Sequence, residues 1–273
     1  MHFRVYYWHM KKIIIVLAFL AFAGAACTKK TVNVQSGTPN TNAPATSTQE
    51  TNTAAPVNAS APTEETLALA NLGGVTLAAH STTTRKAGDI SMSKTYLDAG
   101  AGRNVPIFMF GQPLPGRDHV QLNPNLEFGG LTSAINVVAS IDGIVGFVRE
   151  QTDSKDFEVF LQPKENSIWT IGYDHLTDVT VKQGDRVTVG QVLGKAAREN
   201  NGMYRYELQV NKDVGGVTTF HCPTALLRAD VQATQTAAIE RFIKDWNTFY
   251  GSAMYGTYTS ACPKPVLTLE ETQ

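Results

Sequence analysis

The stretch from Trp169 to Gln209 constrains the fold more than any other part of this 273-residue chain. It consists of short runs rich in β-branched residues, separated by glycines at positions 172, 184, 190 and 194. Alternating apolar residues between small turn residues are typical of short antiparallel strands. One polar cluster, Tyr173-Asp174-His175, stands at the end of an apolar run. The stretch therefore predicts a strand-and-turn framework with a candidate site on it.

The segments before this stretch also predict strands. Asp156–Gln162 alternates polar and apolar residues, and Ser167–Tyr173 follows as its expected partner. In Ile135–Arg149, two runs of Val and Ile flank Asp142-Gly143, a strong short-range hairpin signal. After the stretch, Val217–His221 is expected to extend the sheet.

Residues Ala233–Tyr250 have a different period. Ile239, Phe242, Ile243, Trp246 and Phe249 recur at helical spacing, and Gly251 follows as a C-cap signal. The predicted class is therefore mainly β, with one C-terminal amphipathic helix packed on the sheet.

The N-terminus is typical of a secreted lipoprotein. Lys11-Lys12 precede an apolar run that is short for a membrane span and ends in Gly-Ala-Ala-Cys, with Met10 as a possible start. This ending resembles a bacterial lipoprotein box, which implies a lipid on Cys27 and a membrane anchor; ordinary signal cleavage is the alternative. Residues 28–64 are rich in Thr, Asn, Ala and Pro, and this composition favours a disordered tether.

The predicted organisation has five parts. Residues 1–27 are the signal, 28–64 the tether, and 65–103 a lead-in whose boundary is open. The β domain covers 104–227, and 228–273 form the helix and tail.

Cysteine usage fits an oxidising compartment. If Cys27 carries lipid, Cys222 and Cys262 remain as an even pair, which we predict to be bridged. Two buried free thiols are the alternative. The net charge of −1 with 17% charged residues gives no electrostatic indication of nucleic-acid binding.

Four motifs follow one another between Gly116 and Leu227. They are NVVASIDGIV from Asn136, GYDHL from Gly172, VKQGDRVTVGQVLG from Val181 and RYEL from Arg205. In this order and spacing they resemble the LytM-type (lysostaphin-like) peptidoglycan metallopeptidase family. The resemblance implies a duplicated hybrid or barrel-sandwich β fold with a groove along one sheet.

The resemblance also implies a zinc site, which this sequence lacks in part. Family enzymes hold zinc with the His and Asp of H-x-x-x-D and the second His of H-x-H, leaving a position open for water. His119 matches the first ligand, but Asn123 stands at the Asp position. Met203 and Arg205 stand at the H-x-H positions, and an arginine does not ligate zinc. His175 matches the assisting histidine of Y-x-H-L. We therefore expect no catalytic residues and no cofactor, unless zinc binds a shifted set of ligands.

The retained framework still predicts a ligand groove. Its expected lining is Tyr173, His175, Tyr204 and Arg205, in which Arg205 would attract carboxylates. The alternative is structural: His175 would hydrogen-bond a turn, and the tyrosines would pack in the core or at its rim.

These features favour a non-catalytic LytM-like lipoprotein of the bacterial cell envelope. It would bind peptidoglycan, or regulate or position a cell-wall hydrolase. Two alternatives remain open: an active zinc endopeptidase with altered ligands, and a barrel-sandwich adaptor of an envelope transport assembly.

Overall fold

A computed structural model of the chain describes residues 65–94, 105–114 and 120–273. The predicted signal, Cys27, the tether and His119 lie outside these ranges. Within them the chain forms thirteen strands and one α-helix. The strands are β1 (Lys86–Ala87), β2 (Ile90–Ser91), β3 (Ile107–Phe108), β4 (Asn125–Leu131), β5 (Asn136–Val138), β6 (Gly143–Glu150), β7 (Phe157–Gln162), β8 (Trp169–Thr177), β9 (Arg186–Val187), β10 (Val192–Arg198), β11 (Tyr204–Val214), β12 (Val217–His221) and β13 (Val266–Thr268).

Strand β11 is the centre of the sheet. It pairs antiparallel with β4, β8, β10 and β12, and the strand path runs β1-β2-β4-β11-β10-β8-β7-β6-β9. The pairing of β11 with β4 shifts register between Tyr204 and Tyr206. Before this irregularity β11 pairs with β10, and after it Glu207–Gln209 lies between β4 and β8. One long strand therefore brings four others together.

Alternation along β11 separates the core from the opposite face of the sheet. Tyr206, Leu208 and Val210 are fully buried, whereas Gln209 between them is half-buried. Burying a Leu or Val side chain stabilises a fold by about 1.5–3 kcal/mol. The same register places Glu207 and Gln209 on the face that carries the candidate site.

The segment predicted as a lead-in contributes directly to the core. Leu69, Ile90 and Met92 are buried in the main hydrophobic cluster. The Leu69 amide donates to the carbonyl of Leu226, and the Trp169 indole N–H donates to the carbonyl of Glu65. Residues of the predicted lead-in therefore belong to the globule.

The predicted helix is present as α1 (Ala229–Tyr250). Ile239, Phe242, Ile243 and Trp246 form its buried face, as their spacing predicted, whereas Phe249 is half-buried. Gly251 adopts a left-handed conformation with φ 82°, and its amide donates to the carbonyl of Asn247. Among the described residues, no helix is long and apolar enough to cross a membrane.

The C-terminal tail is fastened to the sheet in two ways. Cys222 and Cys262 form the predicted disulfide, with their Cα atoms 6.0 Å apart. Beyond it, β13 pairs antiparallel with β12. The disulfide prediction is confirmed.

The predicted hairpin around Asp142-Gly143 is wrong. Strand β5 pairs with β10, whereas β6 pairs with β7 and β9. Asp142 Oδ1 instead accepts a hydrogen bond from the Val189 amide, at 2.7 Å. This turn is therefore held by the β9–β10 loop, a long-range contact that overrides the local signal.

Candidate functional site

The candidate site centres on a contact between Arg205 of β11 and His175 of β8. Arg205 Nη2 lies 2.7 Å from His175 Nε2. Just before His175, Asp174 pairs with Glu207 across the two strands. His175 has a left-handed backbone, with φ 58°, a region that His, Asn and Asp enter more readily than other side chains. The framework of the Trp169–Gln209 stretch thus brings its two ends together.

Carboxylates from two strands and two loops surround this contact. Asp156, just before β7, lies 2.6 Å from His175 Nδ1. Glu207 Oε1 lies 3.2 Å from His175 Nε2 and 3.7 Å from Arg205 Nη1. Asp174 Oδ2 lies 3.8 Å from His175 Nε2, and Glu199 Oε1 lies 3.9 Å from Arg205 Nε.

These neighbours change the protonation of the site. Burial alone favours neutral His175, but its hydrogen bonds to Asp156 and Glu207 prevail and raise its pKa to about 10. In that imidazolium, Nδ1–H donates to Asp156 and Nε2–H to Glu207, so Arg205 and His175 share Glu207. In a neutral ring, Nε2 would instead accept from Arg205.

The pKa of Asp174 is raised, whereas the pKa of an ordinary ion-paired acid is lowered. Burial, together with the charges of Glu207 and Glu158, raises the pKa of Asp174 to about 6, although His175 opposes the shift. For Asp156 burial also raises the pKa, but the hydrogen bonds from His175 and Ser154 outweigh it, so its pKa is lowered. Asp156 is therefore ionised at neutral pH, and Asp174 takes up a proton at a higher pH than Asp156 does.

Negative charge exceeds positive charge around Arg205. The carboxylates of Glu127, Asp174, Glu199 and Glu207 raise the pKa of Arg205 despite its burial. A guanidinium already surrounded by four acids does not present its charge to another carboxylate. This geometry argues against the expectation that Arg205 draws carboxylate ligands into a groove.

Glu127 is a site residue that sequence reasoning missed. It is 5% exposed and lies directly opposite Glu207 in the β4–β11 register. The signal was its position four residues after Asn123, the same spacing as in H-x-x-x-D. If Asn123 is aligned with the His of that motif, Glu127 stands at the position of its Asp. The alignment on His119 instead placed Asn123 at the Asp position.

Asn123 itself has a local structural role. Its side chain is buried, accepts from the Asn125 amide at 3.1 Å and donates to the Met109 carbonyl at 3.4 Å. These bonds hold the turn that leads into β4. His119 lies outside the described residues.

The tyrosines of the predicted groove are placed differently from one another. Tyr173 is fully buried, its hydroxyl accepts from the Ser140 amide at 2.7 Å, and burial raises its pKa to about 12. It therefore belongs to the core and not to a groove. Tyr204 is half-buried at the start of β11, next to Met203, whose amide donates to Asn201 Oδ1.

The residues present do not fit a zinc ion at the position the family resemblance implies. Arg205 occupies the H-x-H ligand position and directs its guanidinium at His175. Ligand atoms of Asp156, Asp174 and His175 do lie within 4.8 Å of one another, the spacing of a metal triad. However, Nδ1 of His175 is bonded to Asp156, and Nε2 faces both Glu207 and Arg205. A dication there would have to displace a permanent cation.

Comparisons with known proteins give similarity of fold only. No protein-family model matches the chain, and no curated protein matches it. Solved structures do match. Lysostaphin from Staphylococcus simulans is 17% identical, with a TM-score of 0.34, over 41% of this chain and 46% of lysostaphin.

Two further structures show the same level of similarity. A zinc-containing peptidase from Vibrio cholerae is 23% identical, with a TM-score of 0.32, over 38% of this chain and 32% of that one. The SpoIIQ–SpoIIIAH pore-forming complex matches at 18% identity and a TM-score of 0.37, over 63% of this chain and 99% of that one. The chain thus spans less than half of lysostaphin and of the Vibrio peptidase. The mainly β class is confirmed by the thirteen strands and one α-helix of the described residues.

Proposed function

We propose that this chain is a non-catalytic, LytM-like protein of the bacterial cell envelope that binds peptidoglycan or positions a cell-wall hydrolase. The observation that carries the proposal is the 2.7 Å contact between Arg205 Nη2 and His175 Nε2. It puts a permanent cation where family enzymes need a metal ligand. A site with no metal would not have the metal-activated water on which the family enzymes rely.

The remaining polar groups support a structural or binding role. His175 lies between the carboxylates of Asp156 and Glu207, and its hydrogen bonds to them raise its pKa to about 10 despite its burial. Met203, at the other H-x-H position, carries no titratable group. Asp174, with a pKa of about 6, can still take up a proton, so the absence of catalysis is decided by the lysis assay.

The N-terminal segment extends the proposal to an anchored protein. A lipid on Cys27 would hold the chain at a membrane, and the 28–64 tether would give its domain a reach of roughly 30–35 Å as a coil and about 120 Å fully extended. Incorporation of a labelled fatty acid into the wild-type chain, and not into Cys27→Ala, is the expected result. Labelling of both proteins would contradict the anchor.

The function is tested by three measurements on one preparation. We expect no stoichiometric zinc by elemental analysis, no clearing of a cell-wall suspension, and co-sedimentation with purified peptidoglycan. If the protein does not sediment with peptidoglycan, capture of a purified wall hydrolase by the immobilised domain tests the positioning role. Absence of both interactions would contradict the proposal.

A second candidate function is a zinc-dependent peptidoglycan endopeptidase with altered ligands. The Asp156, Asp174 and His175 triad is the observation in its favour. This function predicts one zinc per chain and lysis that is lost on chelation. His175→Gln and Asp156→Asn should then abolish both metal content and lysis, whereas exposed Asp153→Asn should change neither.

A further inference from the structure

A row of side chains crosses the site face of the sheet, next to the buried charge cluster. Phe147 of β6 pairs with Phe160 of β7, Phe160 with Gly172 of β8, Gly172 with Gln209 of β11, and Gln209 with Asn125 of β4. Residues directly opposite one another in antiparallel strands share a face. We name these five residues the stacking row.

Direct contacts link each neighbour in the stacking row. The Phe147 and Phe160 rings are stacked, with centroids 4.1 Å apart. A Cβ at Gly172 would lie 2.9 Å from Phe160 Cε1 and 3.6 Å from Gln209 Cβ, so glycine makes room for the ring. Gln209 Nε2 donates to Asn125 Oδ1 at 2.6 Å.

The row is accessible and firmly held. Phe147 is 41% exposed, and Phe160, Gln209 and Asn125 are half-buried. Asn125 Nδ2 in turn donates to Glu207 Oε2 at 2.5 Å. An exposed aromatic pair in line with oriented amides offers stacking and hydrogen bonds to one ligand.

The row's dimensions and the sheet edges favour a particular ligand shape. Five strands about 4.8 Å apart make the row roughly 19 Å long, enough for several sugar rings laid across the strands. Extended peptides more commonly add to a free sheet edge. The strands at the two ends of the strand path, β1 and β9, have two residues each and give such a peptide little to pair with.

The charges beside the row select against anions. Glu158, Asp174 and Glu207 lie on the neighbouring rungs, and Glu127 follows on β4. Arg149 and Arg205 are paired with acids of this same group. A ligand with hydroxyls and amides finds acceptors here, whereas a polyanion is repelled.

We propose that the stacking row binds an uncharged linear oligosaccharide, such as the N-acetylated glycan strand of peptidoglycan, by stacking on Phe147 and Phe160 and hydrogen bonding to Gln209 and Asn125. This inference rests on the proposed function and refines it, because it assigns recognition to the glycan and not to the carboxylates of the peptide stems.

The test is a titration of the protein with oligomers of β-1,4-linked N-acetylglucosamine, monitored by calorimetry. Parallel arms use an oligogalacturonate of the same length and a stem peptide. We expect binding of the neutral oligomer alone. Phe147→Ala should weaken it about ten-fold by removing the outer ring. Gly172→Ala, which displaces Phe160, should weaken it too.

Val217→Ala is the matched control, because Val217 is 65% exposed and lies on β12, outside the row. It should bind like the wild type. Unchanged affinity in Phe147→Ala would overturn the inference, as would preferred binding of the oligogalacturonate or the peptide. The inference would also be overturned if the wild type bound no saccharide and Phe147→Ala lost the capture of a hydrolase. The stacking row would then be a protein-docking surface.

The failure of this inference is distinguishable from that of the proposed function. Co-sedimentation with whole peptidoglycan but no binding of the oligomer overturns only the glycan assignment. Absence of binding to peptidoglycan, to the oligomer and to a hydrolase overturns both.

Discussion

Replacing Arg205 by Met tests whether its guanidinium is the counter-charge that keeps the acids of the site buried. The side chains of Arg205, Glu199 and Glu207 are 27%, 12% and 8% exposed. Removing one partner of a buried ion pair costs about 3–5 kcal/mol, because the other charge stays buried without its partner. His175 remains as a second cation and some water reaches Arg205, so we expect about 2–3 kcal/mol. For a domain of this size that is a fall in Tm of roughly 5–10 °C.

Urea unfolding monitored by tryptophan fluorescence measures this change. Arg186→Met is the matched control, since Arg186 is exposed on β9 and should stay within about 0.5 kcal/mol of the wild type. Adding Glu207→Gln to Arg205→Met should recover part of the loss, because the pair is coupled. The reasoning would be refuted if Arg205→Met were as stable as Arg186→Met, or if the double variant lost the sum of both single losses.

Three further predictions concern the same site and the tail. Because the pKa of His175 is raised to about 10, its contribution to stability is complete below its ordinary pKa of 6.5 and lost as pH rises towards 10; His175→Gln should therefore flatten the fall in unfolding free energy over that window. The pKa of Asp174 is raised from 3.8 to about 6, so its contribution to stability is complete below pH 3.8 and is lost as pH rises through 6. In titrations of the unfolding free energy against pH, Asp174→Asn should therefore add about 1 kcal/mol at pH 8 and nothing below pH 4. The disulfide closes a separation of 40 residues, so Cys222→Ala with Cys262→Ala should cost about 4 kcal/mol in urea, and a reduced wild type with the same stability as the oxidised one would contradict this.

The elements that sequence reasoning identified are those whose signal is local. The alternation in β7 and β11 and the helical spacing of Ile239, Phe242 and Trp246 each depend on neighbouring residues, and these elements are present. The hairpin at Asp142-Gly143 failed because its turn bonds to Val189, far along the chain. Local patterns identify a strand, but its partners depend on contacts that the pattern does not contain.

The same limit explains which site residues were found. His175 and Arg205 were recognisable because motifs contain them. Glu127 and Asp156 were missed, since each looks like one more acid near a strand until the register sets it beside Arg205 or His175. Tyr173 was assigned to the groove because it adjoins Asp174 in sequence, yet strand alternation turns it into the core.

The charge cluster also gives a physical reason why the acids at this site coexist with Arg205. Glu127 and Glu207 face each other across β4 and β11, and both are less than a tenth exposed. Two adjacent buried carboxylates are strongly destabilising unless a cation lies within reach. Here Arg205 and His175 supply that charge from the chain itself. A substitution that removed Arg205 without adding another cation would leave the carboxylates unbalanced. Arg205 is therefore expected to be a residue that this face of the sheet needs in order to fold.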